Sequence, residues 1–157
     1  MNMSWWYIVV PVGVVLAILA GRRLYHLGKV VLFERAKESF LLQHERLEKM
    51  VLEKAALGGT PRGLRWVSCV FEQPPLLAWK WKGRAMMALV PATIGFEAIA
   101  GSDMEDVLAV PLPRQGTAVL QFQRGEWHAT GRVFFNLEPA QVLNELKNEL
   151  IGAVKPA

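Results

Sequence analysis

From Trp5 to Gly21 the chain carries no charged side chain, and the run ends on Arg22-Arg23. A helix of that length spans about 26 Å, close to the thickness of a bilayer's hydrocarbon core. The pattern predicts one transmembrane helix over residues 5–21, with 1–4 beyond it. Trp5, Trp6 and Tyr7 crowd its N-terminal end, where amphipathic rings favour the headgroup zone. Arg22, Arg23, His26 and Lys29 follow at the other end, while residues 1–4 carry no side-chain charge. Basic residues stay on the cytoplasmic side, so the N-terminus is expected outside and the remaining chain inside. Pro11 and Gly13 are tolerated in a membrane helix.

The competing reading is a cleaved signal peptide, with Val15-Leu16-Ala17 as a weak cleavage site. A signal peptide places its basic residues upstream of the apolar run, and here they lie downstream. That order favours an anchor, and an exported domain is the alternative. The single thiol, Cys69, excludes an intrachain disulfide and suits a reducing compartment. Gly13, Ala17 and Gly21 recur every four residues, with Ala20 beside them. Small residues let helix backbones approach closely in lipid, so this stripe predicts a packing face for another helix, its own copy or a partner subunit.

About 135 residues remain beyond the anchor, the usual size of one domain. The net charge of +4 is uneven. Residues 21–65 hold ten Lys/Arg against five Glu, and residues 66–157 hold eight against nine acids. The basic excess sits beside the membrane, where anionic lipid attracts it. No basic patch interleaved with aromatics is visible, so nucleic acid is not an expected partner.

Residues 22–57 read as a basic juxtamembrane segment and a long helix beginning at Gly28. Phe33, Phe40 and Leu47 recur every seven residues, with Ala36, Gln43, Met50 and Leu57 three further on. Gly58-Gly59 and Pro61 stop it. The stripe is expected to pack on the domain's own sheet, and the helix is free to run back into the anchor. Strand texture follows over 58–151. Leu64 to Phe71 is rich in aromatic and β-branched residues, and Pro74-Pro75 interrupt it. Leu76 to Trp81 and Ala85 to Ile99 flank Lys82-Gly83 as a hairpin. Pro91 inside the second run points to an edge or a bulge. Met104 to Val110 reads as a short strand. Thr117 to Gln123 and Trp127 to Phe135 form the clearest hairpin, around Arg124-Gly125-Glu126. Pro139 opens a final helix whose apolar face is Val142, Leu143, Leu146 and Leu150, and residues 152–157 are expected to be loose.

The layout is α+β: a transmembrane helix, a long amphipathic helix on a curved antiparallel sheet of four to six strands, and a short C-terminal helix. In element order it resembles cystatin-like and NTF2-like domains. Four runs carry a second likeness: Pro61 to Trp66, Leu89 to Ala98, Asp103 to Val107 and Gly131 to Pro139. They resemble uncharacterised bacterial single-pass membrane proteins, chiefly from planctomycetes, over residues 60–145. That resemblance implies no activity, cofactor or catalytic residue.

Candidate sites are few. Asp103, Glu105 and Asp106 put three carboxylates in four residues, able in principle to hold a hard cation. They lack the calcium-loop pattern, and Ser102 with Glu105 reads equally as a capping box. His128 lies in a strand, and Glu97 is the one strand-borne acid that could face it as a general-base partner. His26 and His44 are eighteen residues apart, unlike a zinc pair. Cys69 sits in an apolar strand and reads as a buried small residue. Gly58 to Gly63 follows a helix and lacks the Lys-Ser/Thr of a phosphate loop. Trp79 and Trp81 face one side of their strand, Lys80 and Lys82 the other.

No catalytic constellation and no cofactor site emerges. The expectation is a membrane-anchored interaction or assembly module, an accessory subunit of a membrane complex whose partners are the bilayer and other subunits or copies. The alternative is a small-ligand binder or enzyme with a cone-shaped pocket between helix and sheet.

Overall fold

The computed structural model describes residues 6–58, 63–72, 74–81 and 85–153, with side chains described from residue 9 to 151. The chain divides into two compact units, residues 1–38 and 39–157. The first is one helix. α1 runs from Trp6 to Leu42, past Pro11, Gly21 and Gly28 without interruption. Pro11 sits in its second turn, where few carbonyls lie upstream to lose a donor.

Gln43 ends α1, with φ −111° and ψ 15°, and its amide donates to the Ser39 hydroxyl at 3.1 Å. α2 follows from His44 to Leu57. The expected heptad face holds at Phe40 and Leu47, which are buried, and then turns. Val51 and Ala55 are buried instead of Met50 and Leu57, and Leu57 is 82% exposed. A straight α-helix advances 3.6 residues per turn, so a strict seven-residue stripe drifts about 20° per heptad off the face that meets a sheet.

The second unit carries six strands. β1 (Leu64–Phe71), β2 (Leu76–Lys80), β3 (Met86–Ala98), β4 (Arg114–Gln123), β5 (Glu126–Phe135) and β6 (Leu150–Ala153) form one antiparallel sheet in the order β5-β4-β3-β2-β6. β1 joins the same edge of β3 as β2, further along. β1 and β2 are thus one interrupted strand: Phe71 pairs with Ala92 and Leu76 with Leu89, so only Val90 and Pro91 of β3 lie between the two pairings. Pro74-Pro75 lie in that gap, where neither is asked for a ladder donor. The Pro91 carbonyl accepts the Glu72 N–H at 3.0 Å, so its nitrogen also faces the gap. Neither the edge nor the bulge expected of Pro91 is found: β3 is a central strand and keeps unbroken register with β4 through Pro91, which is tolerated because its nitrogen faces the gap. Irregularities at Val67 and at Thr130–Arg132 bend the sheet.

The β4–β5 hairpin closes through Arg124 and Gly125, both at positive φ (55° and 89°), between the pair Gln123 and Glu126. That is a two-residue turn whose twist matches the strands. Helix α3 (Pro139–Glu145) opens on Pro139, with Glu138 and Gln141 in a reciprocal capping box.

Two expectations fail here. Residues 104–110 form no strand; successive turns run from Ile99 to Leu112, each closed by a carbonyl three residues back. Local bonds satisfy that backbone, and only Val110 is buried. The final helix also stops at Glu145, short of Leu150. Trp81 N–H takes the Glu149 carbonyl at 2.7 Å, and residues 150–153 pair with β2 as β6. Leu146 and Leu150 stay buried, reached by a turn and a strand. Residues 152 and 153 are therefore strand; the remaining tail, the Lys82-Gly83 turn and Trp5 lie outside the described residues.

The sheet buries both faces. Even-numbered β3 side chains from Met86 to Phe96 are all buried, on the side that carries Phe122 and Trp127. Phe40 stacks on Phe71 (5.9 Å between centroids) and meets Trp127 edge-on (5.7 Å) on this face. On the other, Met87, Leu89 and Val119 pack with Val142 and Leu146. Glu48 of α2 accepts the Phe71 N–H at 2.7 Å, and Met50 sulfur the Ala129 N–H at 3.3 Å, so α2 ties β1 to β5.

Candidate functional site

The helix α1 is the chain's most unusual surface. From Val9 onward it holds a span of mean hydropathy 1.4, none of which is buried within the protein. Its exposed apolar residues (Val9, Val10, Val12, Val14, Val15, Leu16, Ile18, Leu19) follow one another too closely to share one face. A helix apolar all round is matched by a bilayer, not by a one-sided core. By length and composition it fits a membrane anchor or a signal sequence. Gly13, Ala17 and Gly21 have no other atoms near where a Cβ would stand at the two glycines, so this stripe is open. Arg22 and Arg23 are exposed, and Lys29 lies with its ammonium 4.8 Å from the Tyr25 ring centre. The Trp6 and Tyr7 side chains are outside the described residues.

A cone-shaped ligand site needs space between α2 and the sheet. That face is filled by the buried side chains of β3, β4 and β5 named above. The cavities described lie on the opposite face, beside the β1–β2 gap. One, of about 460 Å³, is lined by Glu72, Pro91, Gln115, Thr117, Asn136 and Glu138. A second, of about 550 Å³, adjoins it and shares Glu72, Pro91, Gln115 and Glu138. Their polar groups serve the fold: Glu72 accepts the Thr93 hydroxyl, Glu138 caps α3, and the buried Thr117 hydroxyl donates to the Leu137 carbonyl at 2.6 Å. The lining holds no histidine, cysteine, lysine or arginine, so it offers no nucleophile paired with a base. The sequence signalled this cleft only through Pro74-Pro75 and Pro91, because it exists where one strand is interrupted beside another.

The expected pairing of Glu97 with His128 is replaced by another. Glu97 holds Arg65 across the β1–β3 ladder at 2.5 Å. His128 is exposed and sits opposite Gln121, level with Met87. From Met87 to Glu97 the strand runs about 33 Å, too far for a shared proton. Asp103 and Asp106 are exposed, and Glu105 turns back to accept the Gly101 N–H at 2.7 Å. Ser102 Oγ donates to the Gly63 carbonyl at 3.1 Å, which ties the loop to the start of β1; no helix follows Ser102 for a capping box to close. Among the described residues no three His, Cys, Asp or Glu side chains are grouped to hold a metal. Trp79 is half-buried and Trp81 exposed, so the two do not share one environment.

Cys69 is buried on the α2 face, and desolvation, aided by the Glu48 carboxylate, pushes its thiol up to about 12. The thiolate is the reactive form, so this cysteine is inert in the folded protein. The raised value has a stability consequence. Above the ordinary 9.0, the unfolded chain sheds the thiol proton while the folded chain keeps it until about 12. Stability from this group is therefore full below pH 9 and falls as pH rises through that window. Between pH 8 and 10 the parent should lose about 1.4 kcal/mol more than Cys69→Ala. Urea unfolding at the two pH values measures the difference; equal losses would remove the burial argument.

Comparison with protein-family models, with curated proteins and with solved structures finds no match for this chain.

Proposed function

We propose that the chain is a single-pass membrane-anchored interaction or assembly module, an accessory subunit of a membrane complex. The observation that carries this reading is the N-terminal part of α1, an apolar span unburied within the protein, in a helix that runs on to Leu42. The flanking Arg22, Arg23 and Lys29 favour an N-terminus outside and the sheet inside, by the positive-inside rule. The filled α2 face and the committed polar groups of the cleft favour binding through surfaces over turnover of a small substrate. Helix before antiparallel sheet supports a cystatin-like or NTF2-like layout.

Alkaline carbonate extraction tests the anchor. The full chain should stay with the membrane pellet, and its intact mass should include the residues before Arg22. A Val14→Arg/Leu16→Arg variant should shift to the supernatant, because each arginine at a helix centre costs about 2.5–3.5 kcal/mol of insertion. A mature chain beginning near Ile18 would establish a signal peptide instead. Mild-detergent purification tests assembly: a lone monomer with no companion would overturn it.

A further inference from the structure

The cleft beside the β1–β2 gap has a one-sided hydrogen-bonding inventory. Pro74, Pro75, Pro91 and Pro139 in its walls bring no backbone N–H. Three further wall N–H groups are spent inside the chain. Glu72 donates to the Pro91 carbonyl at 3.0 Å, Asn136 to the Gln115 carbonyl at 3.0 Å, and Gln141 to the Glu138 carbonyl at 2.9 Å. The Thr117 and Thr93 hydroxyls donate to the Leu137 carbonyl and the Glu72 carboxylate. The acceptors are not used up in the same way. An ionised carboxylate offers about four lone-pair sites. Glu72 receives one hydroxyl, and Glu138 serves the α3 cap.

Glu72 and Glu138 line both cavities, and among the described residues neither forms an ion pair. Arg114, next to Gln115 in sequence, sets its guanidinium 5.7 Å from the Phe96 ring instead, on the α2 side. Two carboxylates turn an anion away, and α3 satisfies its own first turn. A cation on an aliphatic stem fits both cavities. Its stem lies against Pro74, Pro75, Leu76 and Pro139 of the larger one, and its head meets the two glutamates.

The exposure of the walls decides what carries that cation. Glu72, Gln115, Asn136 and Glu138 are all exposed. Small-molecule sites bury most of their ligand, which this open trough cannot do. A side chain presented by another protein brings its own cover. Arginine suits the pair of carboxylates, since its planar fork donates to two acceptors at once and is more weakly hydrated than an ammonium.

We propose that the cleft receives an arginine side chain from a partner subunit, with the guanidinium between Glu72 and Glu138 and the methylenes on the prolines. This rests on the assembly reading above and gives it a contact.

Titration of the full chain in detergent micelles with the peptide acetyl-Gly-Arg-Gly-amide tests it, followed by the side-chain amide NMR signals of Gln115 and Asn136. The arginyl peptide should shift them saturably and its lysyl counterpart more weakly. The citrulline counterpart, of the same shape without the charge, should leave them in place. Glu72→Gln and Glu138→Gln should each weaken binding about tenfold by removing one charge-assisted pair. Glutamine keeps the capping pattern at 138, and an unchanged melting temperature confirms that each variant is folded. Glu126→Gln, in the β4–β5 hairpin, should bind as the parent does. No saturable shift, an equal response to citrulline, or an equal loss at Glu126 would overturn the site. The two readings fail differently. A Glu72→Gln/Glu138→Gln chain that holds a companion as firmly as the parent overturns the arginine contact alone. A parent chain that purifies without a companion overturns the assembly reading beneath it.

Discussion

Phe40→Ala is expected to lower the unfolding free energy of the sheet unit by about 3–5 kcal/mol, the range for emptying a buried phenylalanine site. Phe40 is 1% exposed and touches three aromatic partners: Phe71, Trp127 and His44. Its loss leaves a hole that ring-shaped neighbours cannot easily collapse into. Against a typical domain stability of about 5–15 kcal/mol, the change is a large share. Thermal melting of the full chain in detergent, followed by near-ultraviolet circular dichroism, measures it. Leu57→Ala is the paired control and should stay within about 0.5 kcal/mol. An equal loss at Leu57 would mean that the helix keeps its seven-residue face, contrary to the burial of Val51 and Ala55.

That control marks where sequence reading ran out. Phe40 and Leu47 were legible because large apolar residues at helical spacing have one physical use. The choice between Met50 and Val51 was not, since both are apolar and only packing against the sheet decides between a supercoiled and a straight seam. The β4–β5 hairpin was legible because Ala118, Leu120 and Phe122 alternate with polar residues, and Arg124-Gly125 suits the turn. Residues 104–110 misled because Val107, Leu108 and Val110 imitate a strand, although Leu108 is 93% exposed. β6 was invisible for the opposite reason. Leu146 and Leu150 keep helical spacing while the chain between them turns to complete the edge of β2.

The candidate sites divide on the same line. Cys69 was readable from its own strand. The proposed partnership of His128 with Glu97 depended on register along β3, which no local pattern encodes. The cleft beside Pro91 arises because β1 and β2 share an edge of β3, a long-range fact to which the prolines are a response. α1 was the reverse case, since a charge-free run needs no tertiary information to be recognised.

Gly131→Ala should be the second most damaging single change, by about 2–4 kcal/mol, combining a left-handed backbone with overpacking. Gly131 has φ +77° inside the β5 irregularity, where Thr130 Oγ1 bonds the Val119 carbonyl at 2.6 Å. A methyl group there would stand 3.1 Å from the Lys54 carbonyl oxygen and 3.4 Å from its carbon. Both are helix backbone, which cannot swing aside as a side chain would. Gly125→Ala separates the two costs. Gly125 has φ +89° with nothing within 4 Å, so alanine there meets only the conformational penalty, about 1–2 kcal/mol. The excess at Gly131 over Gly125, read from urea midpoints at constant slope, reports how closely α2 is pressed onto β5. Equal losses at the two glycines would mean that α2 yields at Lys54, and that the β5 irregularity is not what sets the helix against the sheet.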